Sequence, residues 1–554
     1  MADTPHIVVL GGGFGGMFAA REIQRTLAGR ATVEIINDEN YFVFQPLLPE
    51  VAAGSIAAVH AVTPLRFLLR DCTVRKASIA GVDFDRKIVT VFQGVQRRPT
   101  EIGYDHLVLA LGQSVDLSKM PGMPEHALTM KTLDDASRLR AHVIEKLEHA
   151  DITRLPEVKR EVLTFTVVGG GFSGIETVGE VTELIDRVLK YYPNVARSEV
   201  RVIVVEFLDR ILGELPESLG RYAHEVLEKR GIELRLGVGV DHATGTRLFT
   251  TDGAAIETRT IVATIGNGPG RLVRELDLPV EQGKIVVDRS LRVAGHDGVW
   301  ALGDCALIPM TDRPEGRGDY APPTAQFAIR EAKHVAAALD ATLAGRAPTP
   351  FVYTSKGSLA SLGGRRGVAD VMGMRLTGFP AWLLWRLYYV GTLPGLSTKI
   401  GVLFNWLLDA IAPRTLVQLR PDALPGSRYV LYSAGDRIYE TGNRADGLYT
   451  VVEGAVEVVK TDPATGQELV RRLGPGDHFG ERVVMGEDRR GATARAVTDS
   501  RILILGRDEV IRIADGFAVF RDYFEDHIGQ RLETEYVARD AENSSVDGRG
   551  AAAE

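Results

Sequence analysis

Hydrophobic and polar positions change period along this chain, and each period predicts a different element. His6–Leu10 is an apolar, β-branched run that leads straight into a glycine-rich turn and an apolar-periodic stretch, IVVLGGGFGGMFAAREI from Ile7. The same order recurs in FTVVGGGFSGIETVGEV from Phe165. Each copy predicts a buried strand, a tight turn and a helix opening, and the second helix is expected to reach about Tyr191. Further strands are expected at Thr32–Ile36, ending at Asn37, and at Arg201–Val205, ending at Glu206. His106–Leu111 and Gly298–Asp304 read as strands that end in small-residue turns.

Two later regions follow other patterns. In Ser397–Ile411 the residues Ile400, Leu403, Phe404, Leu407, Leu408 and Ile411 fall on one helical stripe, with Asn405 and Asp409 off it. Phe379–Tyr389 gathers Trp382, Leu383, Leu384, Trp385, Leu387, Tyr388 and Tyr389 around Arg386. Such a stripe suits either a buried helix pair or one lying on a membrane. From about residue 425 the runs become short and alternating, as in Tyr429–Tyr432, Gly447–Val452 and Gly454–Lys460, with turns between them. This predicts an all-β roll. A helical stretch over roughly Asp508–Tyr536 and a disordered tail over 540–554 are expected after it.

The repeated turns carry candidate chemistry. Both are GxGxxG loops between strand and helix: Gly11, Gly13 and Gly16 in the first, Gly169, Gly171 and Gly174 in the second. In this motif one glycine makes the turn, the next lets a pyrophosphate approach the backbone, and the third lets helix pack on strand. The helix N-terminus then offers free N–H groups to the diphosphate. Two copies predict two nucleotides, most economically a flavin and a nicotinamide. Glu206 can accept hydrogen bonds from both ribose hydroxyls and would repel a 2′-phosphate, so NADH is expected over NADPH. The gap from Gly174 to Glu206 exceeds the usual ~20 residues, which a long intervening helix explains. At the matching first-copy position stands Asn37, with Asp38 next, and either can meet a ribose. Asp304, after Gly303 at a strand end, can bond a ribityl hydroxyl.

Composition narrows the reading. The 554 residues imply three to four domains at ~150 residues each. A net charge of −8 argues against nucleic acid as a partner. Cys72 and Cys305 are the only cysteines, so a disulfide framework, a Cys-rich zinc site and a CxxC redox pair are all excluded, and no metal is expected. The N-terminus has neither the basic nor the apolar stretch of a secretory signal, and no run of about 18 apolar residues predicts a spanning helix.

In combination, VVLGGGFGG, NYFVFQPLLPEVAAG, YDHLVLALG, TVVGGGFSGIE, VWALGDCA, PPTAQFAIR and YTSKGSLASLG resemble the type II NADH dehydrogenases over residues 5 to about 420. These are single-subunit, non-proton-pumping flavoenzymes of the pyridine nucleotide-disulfide oxidoreductase type that pass electrons from NADH to quinone. The resemblance implies FAD on Gly11, Gly13, Phe14, Gly15, Gly16, Asn37 or Asp38, Gly112, Gly303 and Asp304. It implies NADH on Gly169, Gly171, Gly174, Glu206 and Gly266. It places Glu176 where nicotinamide meets flavin, and Gln326 and Lys356 near the flavin and the quinone entrance. Disulfide reductases and sulfide:quinone oxidoreductases share this fold but need cysteine pairs that this chain lacks. One departure stands out: the family's AQxAxQ reads Ala325–Arg330 here, with Arg330 in place of the second glutamine. Arg330 could bond a quinone carbonyl or exclude a hydrophobic quinone.

Residues from about 425 to 535 resemble a cyclic-nucleotide-binding domain. The resemblance implies that Glu481 accepts from a ribose hydroxyl and Arg490 pairs with a cyclic phosphate, beside Gly480, Ala492 and Thr493, with cAMP or cGMP as ligand. Arg482-Val483-Val484 departs from the family's aliphatic, small, aliphatic pattern, and Val483 would crowd the phosphate.

The fold class expected is α/β. It comprises two Rossmann-like dinucleotide-binding domains, FAD at 1–120 and 280–345 and NADH at 121–279. A C-terminal amphipathic membrane segment at 346–415, attaching through 379–411, and the all-β roll with its terminal helix at 425–535 complete the chain. The enzyme is expected as a homodimer, peripheral to the cytoplasmic face of the cell membrane. Two alternatives remain at this stage: a cyclic-nucleotide sensor with a redox module, and an NADH-dependent reductase of a soluble acceptor.

Overall fold

A computed structural model describes residues 4–94, 98–417, 427–461, 465, 467–484, 487, 489–516, 519, 523–524 and 537–538. The chain packs as two compact units. One comprises residues 1–119, 128–239 and 260–419, and the other 120–127, 240–259 and 420–554.

The first unit holds two parallel sheets built alike. In one, His6–Leu10 lies between Thr32–Asn37 and His106–Leu109, with Thr73–Lys76 and Val299–Ala301 at the edges. In the other, Thr164–Val168 lies between Arg201–Glu206 and Thr260–Ala263, with Ile232–Leu236 beyond Arg201–Glu206. The central strands are buried on both faces, as parallel strands covered by helices must be, although Thr164 and Thr166 place hydroxyls in the second. Each runs directly into a helix, α1 (Phe14–Thr26) or α2 (Phe172–Val188), and α2 ends in a short 3₁₀ turn, Leu189–Tyr191, where the pattern places the helix end. Gly298–Asp304, expected as one strand, is Val299–Ala301 followed by a 3₁₀ turn over Gly303–Cys305.

Helix α3 (Ala325–Leu343) returns to pack on α1. An antiparallel sheet of Gly357–Ser361, Gly367–Val371 and Met374–Thr377 then leads into α4 (Gly378–Thr392) and α5 (Leu396–Ile411). The apolar stripe of α5 faces outward. Ile400, Leu403, Phe404, Leu407, Leu408 and Ile411 are 40–78% exposed, whereas Thr398, Val402 and Trp406 are buried. The stripe is therefore not part of this unit's core. No helix among the described residues is long and apolar enough to cross a membrane.

The second unit is the expected roll. One antiparallel sheet orders Ser427–Tyr432, Ser500–Gly506, Gly447–Glu453 and His478–Phe479; another orders Arg437–Tyr439, Thr493–Ala496, Val456–Thr461, Glu468–Leu473 and Val537–Ala538. The hairpins of Val240–Ala243, Arg247–Thr250 and Ala255–Glu257 pack in this same unit. There the Leu431 N–H donates to His126 Nε2 at 3.1 Å, and burial lowers His126 to about 4, so it stays a neutral acceptor. The terminal helix runs Arg507–Gly516. The rest of the helical stretch expected to Tyr536, apart from residues 519 and 523–524, lies outside the described residues, as does the tail at 540–554.

Candidate functional site

The two glycine loops share one geometry. Leu10 pairs with Ile36 and Val168 with Val205, so the following residues, Asn37 and Glu206, hold equivalent places beside their loops. The Gly12 N–H donates to Asn37 Oδ1 at 2.7 Å, and the Gly170 N–H donates to a Glu206 oxygen. Glu206 Oε1 also accepts from the Leu208 N–H at 2.8 Å. A carboxylate has about four acceptor positions, so Glu206 keeps capacity for two ribose hydroxyls. Asn37 Nδ2 donates to the Glu39 carbonyl at 2.9 Å, which fixes the amide orientation. Asp38 is exposed beyond it. Of the two residues left open at the first ribose, Asn37 is the counterpart of Glu206.

The glycines divide their labour. Gly11 and Gly169 have φ of +102° and +113°, a region that L side chains rarely adopt. A Cβ on Gly16 or Gly174 would collide with the carbonyl of Gly11 or Gly169. A Cβ on Gly13 or Gly171 would meet nothing within 4 Å. These two residues cap α1 and α2 without any side-chain hydrogen bond, so the first-turn N–H groups of both helices face open space. That is the shape and polarity a diphosphate needs, and the residues present fit two dinucleotides.

Around the first loop, Phe14 packs against Phe42 and Phe44, with ring centroids 5.0 and 5.5 Å away. Gly15 sits against Ala110 and Leu302, and Gly112 has positive φ with open space about it. Asp304 is half-buried, 4.0 Å from Lys131 Nζ. The Gly303 N–H donates to Glu331 Oε2 at 2.7 Å, and burial pushes that carboxyl up to about 7. Glu331 adjoins Arg330, yet no sequence motif marked it. In the second half, Gly266 closes on Leu117 and the Asp116 carbonyl rather than on the glycine loop. Burial raises Cys72 to about 12 and Cys305 to about 11, so both thiols stay protonated at neutral pH. No group of three His, Cys, Asp or Glu residues able to hold a metal occurs among the described residues.

Glu176 belongs to a buried polar cluster that the sequence does not announce. Glu176 and Glu180 share one face of α2, one turn apart. Glu176 Oε1 accepts from the Trp385 indole at 2.7 Å and from the Ser361 N–H at 3.1 Å. Burial pushes the carboxyl up to about 8 despite these donors. Glu50, on the short helix Leu48–Ala52, accepts from Trp406 Nε1 at 3.0 Å and from Arg386 at 3.2 Å, and burial raises it to about 7. Arg386 lies between the rings of Trp382 and Trp406, 4.2 and 4.3 Å from their centroids. Arg414 reaches Asp409 at 2.9 Å, Glu180 at 3.7 Å and the Ala53 carbonyl at 3.2 Å. Three buried glutamates thus face two arginines and two indoles where α2 meets α4 and α5.

Gln326 organises a second patch, at the start of α3. Its Oε1 accepts from the Tyr353 hydroxyl at 2.8 Å and from the Lys356 N–H at 3.1 Å, while Nε2 donates to the Gly357 carbonyl at 3.3 Å. Lys356 enters this patch through its backbone, and its residue is exposed. Arg330, also exposed, lies 5.5 Å from the Tyr353 ring, and Tyr388 of α4 hydrogen-bonds Gln326.

In the β-roll, the Arg490 side chain is only 3% exposed. It donates to Asp446 at 2.8 Å, to the Gly447 carbonyl at 2.7 Å and to the Gly480 carbonyl at 3.1 Å. Its guanidinium also lies 4.4 and 4.9 Å from the rings of Tyr439 and Tyr449. Glu481 pairs with Arg471 at 3.4 Å. Gly480, Glu481, Arg490 and Ala492 line one cleft. The Thr493 hydroxyl instead meets Thr441, and Thr493 does not line the cleft. Val483 lines it but is fully buried, packed with Ala445, Leu448 and Val510.

Comparison with known proteins agrees with this layout. Residues 5–332 match the pyridine nucleotide-disulphide oxidoreductase family, 355–415 the NDH2 C-terminal domain, and 429–516 the cyclic nucleotide-binding domain. The chain is 31% identical over 428 residues to the type II NADH:quinone oxidoreductase Ndh of Mycobacterium tuberculosis, covering 74% of this chain and 89% of that protein. It is 29% identical to the type II NADH:quinone oxidoreductase of Staphylococcus haemolyticus, covering 68% of this chain and 92% of that protein. The fold resembles NDH2 of Plasmodium falciparum, solved with NADH, with a TM-score of 0.70 and 20% identity over 75% of this chain and 100% of that one.

Proposed function

The chain belongs to the pyridine nucleotide-disulphide oxidoreductase family, as a type II NADH:quinone oxidoreductase, and from that premise we propose how its own residues serve the reaction. It is a non-proton-pumping, FAD-dependent NADH dehydrogenase. The flavin, when bound, supplies the two-electron chemistry between NADH and quinone. The first loop, with Asn37 and Asp304, holds the FAD, and the second loop, with Glu206, holds NADH. The observation that carries this assignment is the matched pair of Asn37 and Glu206 beside two uncapped glycine-lined helix starts.

The remaining residues position and exclude. Glu176 keeps its proton through neutral pH at the opening of the NADH-side helix and is poised to exchange it when its surroundings change. Gln326 sets the path of Tyr353–Gly357, and with Tyr388 and Arg330 it frames the quinone entrance. The outward stripe of α5, with the exposed Phe379, Leu383 and Leu387 of α4, lies on the membrane surface. From there a lipid-soluble quinone reaches the flavin. The enzyme works as a peripheral homodimer on the cytoplasmic face, and a nucleotide bound in the β-roll regulates it.

Stopped-flow mixing with NADH tests the core of this proposal. NADH should bleach the flavin absorbance in one phase, and a water-soluble quinone should restore it. A flavin that NADH leaves oxidised overturns the assignment.

A further inference from the structure

The β-roll cleft carries more positive charge than one phosphate needs. Lys460, Arg471, Arg482, Arg489 and Arg490 all line it, in a chain whose net charge is −8. Three carboxylates answer some of these cations: Asp446 on Arg490, Glu481 on Arg471, and Glu487 on Arg482 at 3.1 Å. Among the described residues, Lys460 and Arg489 have no carboxylate partner, and cations in this group outnumber the carboxylates paired with them by two. Arg490, the arginine expected to meet a cyclic phosphate, already has Asp446 and two backbone carbonyls on its guanidinium, leaving a buried Nε–H as a free donor. A cyclic mononucleotide brings one negative charge. It would have to compete with Asp446 for Arg490 and would leave part of the excess unmatched.

We propose that this cleft takes a nucleotide bearing two or more phosphate charges, rather than a cyclic mononucleotide. The proposal rests on the reading of the β-roll as a ligand-binding domain and specifies its ligand. Arg490 donates its Nε–H to one phosphate oxygen, and Lys460 and Arg489 neutralise the second charge. A cyclic dinucleotide and a nucleoside diphosphate share this chemistry, and the test separates them.

Isothermal titration of the full-length holoenzyme would compare cAMP, cGMP, cyclic di-AMP, cyclic di-GMP and ADP at one fixed ionic strength, alongside a Lys460→Ala/Arg489→Ala variant. One of the ligands with two or more phosphate charges should bind at least about tenfold more tightly than either mononucleotide, since it gains a second charge-assisted contact. The variant should lose that advantage while keeping its mononucleotide affinity within about threefold. Equal or tighter binding of cAMP or cGMP overturns the charge assignment and leaves the binding domain standing. A multiply charged ligand whose affinity the variant keeps is bound elsewhere, which also overturns the assignment. Binding of no nucleotide at all overturns the ligand-binding reading beneath it.

Discussion

Glu176 and Trp385 are joined by a 2.7 Å hydrogen bond from the indole N–H to the carboxyl Oε1, fully buried and spanning 209 positions of sequence. It ties the opening of α2 directly to α4, the helix that begins the outward apolar pair. A change of protonation at Glu176 therefore acts directly on the acceptor that holds the Trp385 indole of α4.

Stability should carry the signature of that carboxyl. In the folded protein Glu176 holds its proton up to about pH 8, whereas in the unfolded chain it ionises near ~4.3. Between these values the folded state binds the extra proton, so raising the pH lowers stability. Glu176→Gln has no proton to lose and keeps an acceptor for Trp385. Its melting temperature relative to wild type should climb from about pH 5 to about pH 8 and level off above. An offset that stays constant across this range rules out the raised carboxyl.

Coenzyme choice should rest on Glu206. Its carboxylate accepts two backbone N–H groups and keeps room for ribose hydroxyls, and it would repel a 2′-phosphate. Glu206→Ala should raise KM for NADH by roughly 10- to 100-fold, the worth of one or two charge-assisted bonds, and narrow the preference over NADPH. Unchanged discrimination in steady-state kinetics would remove Glu206 from the ribose site.

Membrane attachment should depend on the stripe of α5. Leu403 and Leu407 are 51% and 61% exposed, so Leu403→Glu/Leu407→Glu disturbs no core contact. Each loses about 1.5–3 kcal/mol of apolar burial in a bilayer, so vesicle co-sedimentation should fall at least ~30-fold. Turnover with a water-soluble quinone should survive. Full retention on vesicles would show that the stripe faces something other than lipid.

Asp446 should act as an internal competitor for anions. It occupies the inner guanidinium at 2.8 Å. Asp446→Asn weakens that pairing without emptying the space and should tighten nucleotide binding in the β-roll about fivefold or more. Weaker binding by calorimetry would assign Asp446 to holding Arg490 in place instead.

Much of the fold is legible because local chemistry enforces it. The strand, glycine turn and helix of each repeat follow from residues adjacent in sequence, and so does the stripe of α5. The equivalence of Asn37 and Glu206 is readable too, since each ends the strand after its loop. Whether the stripe faces in or out is not local, because it depends on which face Trp406 and Asp409 draw inward. The polar cluster is also invisible to sequence patterns. Its partners Glu50 and Trp406 stand 356 positions apart, and an isolated glutamate beside Pro49 gives no hint of burial. Arg490 carried a clear motif, but the carboxylate that holds it lies 44 positions upstream with no motif of its own.

The α4–α5 pair turns grease outward and is fastened inward by indole, guanidinium and carboxyl groups. A detergent micelle competes for apolar surface but offers nothing to a buried, directional indole-to-carboxyl bond. A micelle that covers the outward face therefore leaves the pair seated on the rest of its unit.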